Sequence, residues 1–235
     1  MQSQTWRFRL LDSGVGTSPG AFSPEMTHDR DPSLVPQGRA TAPRSPARVL
    51  DTLRRDAVTE LGGVLSGFWS SIEEQVRLAA LASHDFASAQ EDRIGVMALS
   101  HRALELATRF RSAIEREFDR WENAGGDDDA KPKSLSLMSE GELEVHLAGQ
   151  QITELLDHQF LHPLTQLDER LAALAGSLGV RRGRPNPIRP EVAVNAFVAL
   201  FGPDDLTPSL RSMVFHQFDK RLPKVLGDLY DKANK

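Results

Sequence analysis

The chain has 235 residues, 40% of them hydrophobic, enough to enclose the core of one ordinary domain or two small ones. Its 28 Lys and Arg stand against 33 Asp and Glu, a net charge of −5, which is the wrong sign for a protein that coats DNA. No Cys is present, which removes disulfides, thiolate catalysis and Cys-ligated metal centres.

No apolar run approaches the ~20 residues of a membrane span. Arg7 and Arg9 lead into Leu10 and Leu11, but Asp12, Ser13 and Gly14 end the run before a secretory leader forms, so a cytoplasmic location is expected. Residues 1–45 hold five of the 14 prolines and no helical or strand period, and are expected to be a disordered tail. Translation starting at Met26 instead of Met1 would leave the folded part unchanged.

Ser45 as N-cap and Pro46 at the first helical position open a long helix over about 46–82. Val49, Leu53, Ala57, Leu61, Val64, Phe68, Ile72, Val76 and Ala79 form its apolar stripe. Gly62, Gly63 and Gly67 mark a bend in it or a close helix contact. Ser88 and Glu91 match a capping box that starts a second long helix over about 88–123. Its stripe is Ile94, Met97, Leu104, Ala107, Phe110, Ile114, Phe118 and Trp121. The two helices are expected to pack antiparallel over residues 46–123.

Residues 124–134 read as an acidic Gly linker and a subdomain boundary, followed by a helical core over 135–235. Ser139 and Glu142 form the sharpest capping box in the chain, with Met138 and Leu143 placed as a hydrophobic staple. The apolar face continues through Leu143, Leu147, Ile152, Leu155, Leu156 and Phe160. Pro163 restarts the helix, and Leu164, Leu167, Leu171, Leu174 and Leu178 lead to a stop at Gly179. Pro190 opens a short helix, which Gly202 and Pro203 end, and Thr207-Pro208 caps the last one, which Pro223 is expected to kink or split. No alternating strand is found, so the fold class is all-α: a helical bundle of two long helices plus three or four C-terminal ones.

Four sets of side chains bear on chemistry. Glu154, His158 and His162 fall on one face at metal-ligand spacing, but a fourth ligand and a His-Glu-x-x-His motif are missing, which favours solvated side chains. His101 falls on the apolar stripe and reads as a core-edge histidine, because neither a nucleophile nor an orienting partner can be placed beside it. Arg181, Arg182, Arg184 and Arg189 make a local positive cluster in a Gly/Pro loop, suited to an anion or an acidic partner. Without interleaved aromatics or a reader motif, nucleic acid is a poor fit. Trp69 and Trp121 read as core. Phosphate-cradling glycine loops and a Gly-x-Ser-x-Gly elbow are absent, so no catalytic residue and no cofactor is assigned.

Five blocks carry a family resemblance: Leu135–Glu144, Leu167–Leu174, Asn186-Pro-Ile-Arg-Pro-Glu191, Phe215–Lys220 and Leu226–Asp231. In order and spacing they resemble the bacterial DUF1631 family, a domain of unknown function. The resemblance covers residues 48–235 and is strongest after residue 134. It implies helix starts, turns and core positions rather than chemistry, so no catalytic residue carries over. Members of the family are typically longer, which implies an amino-terminal piece or a short relative. Some relatives carry a thymidine phosphorylase label, yet that enzyme's Lys-His-Ser-Thr-Gly-Gly motif is absent here.

The leading expectation is a non-enzymatic cytoplasmic protein, a regulatory or scaffold module that binds a protein partner or itself and engages no membrane. The alternatives are a nucleotide-metabolism enzyme of the labelled type, or an anion or nucleotide sensor built on the Arg181–Arg184 loop.

Overall fold

A computed structural model describes residues 45–82, 85–123, 139–180, 183–202 and 205–235. These residues form eight helices and no strand: α1 (Pro46–Gly63), α2 (Phe68–Ala82), α3 (Phe86–His101), α4 (Ala103–Asn123), α5 (Glu140–Gln159), α6 (Leu161–Leu178), α7 (Pro190–Val198) and α8 (Pro208–Ala233). None of the described helices is long and apolar enough to cross a membrane. The expected tail and the expected linker over 124–134 lie outside the described residues.

Local chemistry fixed most helix ends. Pro occupies the first turn of α1, α7 and α8, where the missing N–H has no intrahelical partner to lose. The Thr207 hydroxyl accepts from Leu210 N at the start of α8. At the start of α5, Ser139 Oγ accepts from Glu142 N and Glu142 answers to Ser139 N, both halves of the expected capping box. Gly179 closes α6 in the left-handed region at φ 70°.

Four expectations need correction. The first long helix is two: a turn at Val64–Gly67, with Gly67 at φ 58°, separates α1 from α2. Gly62 serves the close contact instead, since a Cβ there would stand 2.5 Å from Arg111 Nε of α4. The second long helix also breaks, at Arg102. It is capped by Asp85, which accepts from Ala87 N and Ser88 N, and not by a Ser88 box. Finally, α8 runs unbroken through Pro223. Leu222 and Leu226 on either side are fully buried, and that packing outweighs one missing backbone hydrogen bond.

α2 packs along α3, and α1 along α4, so the two broken helices form the expected antiparallel pairing. α8 lies against α1, α2, α3, α5 and α6, while α7 fills the space between α4 and α5. One hydrophobic cluster results, drawing on every helix. Phe197 of α7 stacks flat on Phe218 of α8 at 3.8 Å and meets Phe68, Phe201 and Phe215 edge-on. Trp69 and Trp121 are core residues, as expected.

Polar ties join helices distant in the chain. Arg54 pairs with Asp119 at 2.6 Å between α1 and α4. Thr207 donates to the buried Asp92 of α3 while capping α8. Gln75 Nε2 of α2 donates to Gln217 Oε1 of α8 at 3.1 Å. Arg221 of α8 reaches over the α1–α2 turn and donates to Val64 O, Ser66 O, Gly67 O and Ser71 Oγ. Its guanidinium also sits 5.5 Å from the centre of the Phe68 ring.

Candidate interaction surface

α3 departs most from its sequence reading. Its buried positions are Asp92, Val96 and Leu99, at steps of four and three. The same phase continues past Arg102 into Leu106, Phe110 and Ile114 of α4. Ile94 and Met97, expected in the core, face outward at 59% and 54% exposure, and Leu104 just beyond the break is 80% exposed. α3 therefore carries large apolar residues on both sides. The carboxylate of Asp92 tolerates its buried place because the Thr207 hydroxyl bonds it from the start of α8.

The outward face continues at the hairpin tip. Of the eleven large hydrophobic residues left exposed among those described, Leu78, Leu81, Phe86, Ile94 and Met97 belong to α2 and α3. Phe86, the first residue of α3, is 87% exposed, more than any other. A second group lies on α5, where Leu143, Leu147 and Leu155 were expected inside and face solvent. Ile152 and Leu156 make the α5 core contacts, and Gly149 lets α5 approach α7 closely: a Cβ there would meet Val198 Cγ2 at 3.0 Å. The staple partner Met138 lies outside the described residues.

The other sequence-derived site residues are placed as follows. His101 is exposed, on the same outward face as Ile94 and Met97, and not at the core edge. Glu154 and His158 are exposed on α5, whereas His162 belongs to α6, beyond the helix break at Phe160, and its Nε2 lies 3.1 Å from Gln166 Nε2. Among the described residues no three metal-ligating side chains gather.

The arginine loop is drawn into the fold where it is described. Arg181 and Arg182 lie outside the described residues. Arg184 donates through Nη1 to Arg120 O at the end of α4. Arg189 pairs with Asp168 of α6 at 2.8 Å, and that bond raises its pKa further above the ordinary value. Asn186 donates to the same carboxylate at 3.0 Å and accepts from Ile188 N at 2.9 Å. Tyr230 of α8 donates to Ile188 O at 2.8 Å. The Asn-Pro-Ile-Arg-Pro block thus fastens a loop to α6 and α8. Burial, seconded by the charge of Asp157, pushes the Tyr230 phenol well above its usual range.

A family model described as "Protein of unknown function (DUF1631) N-terminal domain" matches residues 45–235. No curated protein and no solved structure matches the chain.

Proposed function

The chain belongs to the DUF1631 family, and from that premise we propose that residues 45–235 are a protein-interaction module of regulatory or scaffold type, without catalysis of their own, docking through the outer face of the α2–α3 hairpin. One observation carries this reading. α3 turns Val96 and Leu99 into the core and still presents Ile94 and Met97 to solvent. Apolar residues displayed at helical spacing on α3, with Leu81 and Phe86 also exposed where α2 ends and α3 begins, suit the burial of a partner helix or a second copy.

The test is a double substitution, Ile94→Asp with Met97→Asp. Both sites are exposed, so thermal unfolding is expected to shift by no more than about 2–4 °C. Self-association in sedimentation velocity, or in-cell crosslinks mapped to α3, should be lost with it. A wild-type chain that stays monomeric and yields no α3 crosslink, or a variant that assembles as the wild type does, would defeat the proposal.

A further inference from the structure

We propose a second site, independent of the hairpin face: a groove where α8 crosses the α1–α2 turn, built to hold a phosphoryl group, either free phosphate or the phosphate of a small ester such as a nucleotide. Its space measures about 310 Å³ and is lined by Gly63, Gln217, Lys220, Arg221, Lys224 and Val225, with Val64 beside them. That is the low end of small-molecule sites.

The lining is one-signed. Three cations border the groove and no carboxylate does, in a chain whose net charge is −5. Neither lysine, nor Arg221, makes an ion pair among the described residues, although ten such pairs form elsewhere on them. Lys220 and Lys224 are one helical turn apart on α8, a spacing at which like charges repel unless an anion lies between them. All four hydrogen-bond acceptors of Arg221 are carbonyls and a hydroxyl, which orient the guanidinium and leave its charge uncancelled.

Gln217 adds a neutral donor. It is only 9% exposed, yet it lines the groove one turn before Lys220 and Arg221. Its Oε1 accepts from Gln75, and its Nε2 donates to no protein atom among the described residues. The Gln217 Nε2 is not sealed from solvent, so it stands as an open donor at the groove. Gly63 keeps the floor clear, since a Cβ there would meet nothing within 4 Å. The side chains turned to the groove thus offer N–H donors and cations but no acceptor free for a ligand, which matches a phosphoryl group, an acceptor at every oxygen. Val64 and Val225 supply an apolar edge on which the remainder of an ester could rest.

The measurement uses the full chain labelled with nitrogen-15. Sodium phosphate is titrated against sodium chloride at equal ionic strength, following the Gln217 side-chain amide, which is assigned by its loss in Gln217→Leu. Saturable movement with phosphate alone is expected. The double variant Lys220→Gln with Lys224→Gln should bind about tenfold or more weakly, since two charge-assisted bonds are removed. Lys224→Arg should retain binding. A nucleoside monophosphate and its parent nucleoside form the second arm. Tighter binding of the monophosphate than of phosphate identifies an ester as the ligand, and equal binding identifies free phosphate. No saturable movement, the same movement with chloride, or undiminished binding by a folded double variant would overturn the site.

Discussion

Raising the pH above about 10 tests the packing around Tyr230, because this is the chain's one tyrosine and its ionisation can be read alone. The phenol is 1% exposed, donates to Ile188 O at 2.8 Å, and has its pKa pushed up chiefly by burial. A raised native pKa means that the neutral form is the one the fold accommodates. Its contribution is complete below the unfolded value near 10 and is lost as pH rises above it, at about 1.4 kcal/mol per pH unit. Lysines also titrate in that range, so the comparison is with Tyr230→Phe in urea unfolding followed by circular dichroism. At neutral pH the variant should be less stable by about 1–2 kcal/mol, the cost of leaving the fully buried Ile188 carbonyl unpaired. At pH ~11 the unfolded tyrosine gains about 1.4 kcal/mol from ionising, so the two stability curves should cross close to that pH. Phenolate absorbance should appear only with unfolding. A phenolate band rising in the folded protein with a midpoint near 10, or a wild-type advantage constant from pH 7 to pH 11, would refute the reasoning.

Replacing Arg221 by Met keeps its stem and removes four hydrogen bonds and the cation over Phe68. Water takes over the exposed acceptors, so the expected loss is about 2–3 kcal/mol. That is a fall of about 5–10 °C in the unfolding midpoint by circular dichroism. Arg221→Lys should recover less than half, because one ammonium cannot span three carbonyls and a hydroxyl. Two glycines should respond with opposite signs in urea unfolding. Gly149→Ala presses against Val198 and Val194 at 3.0 and 3.2 Å and should cost about 1–2 kcal/mol. Gly63→Ala enters open space at the end of α1 and should gain up to about 1 kcal/mol.

Features encoded within a few residues were legible in the sequence. Ser139 and Glu142 sit three apart and close the capping box on each other, and Pro190 and Thr207-Pro208 start helices for equally local reasons. The phase of α3 was not legible. Ile94 and Met97 looked like core because they are large and apolar, whereas the buried phase of the helix runs through Asp92. The partner that lets Asp92 be buried is Thr207, 115 residues away. The candidate surface was misread for the same reason, since an apolar stripe says nothing about which side a neighbour covers. The groove lysines gave no signal either. Lys220 and Lys224 form a groove only because Gly63 and Val64, roughly 150 residues earlier in the chain, lie beside them. The arginine cluster was conspicuous as a run, and what the sequence did not show is that Arg184 and Arg189 also tie the loop to Arg120 O and Asp168.

α8 is the last of the described helices, and five others lean on it. On a ribosome this order has a consequence. The hairpin of α1 to α4 emerges with the seat of α8 still vacant, so Phe68, Ile72 and Phe110 wait for Phe218 and Leu222 to arrive over a hundred residues later. The molecule therefore closes late, and until then the apolar faces of α1–α4 that α8 will cover stay open to solvent or to a chaperone.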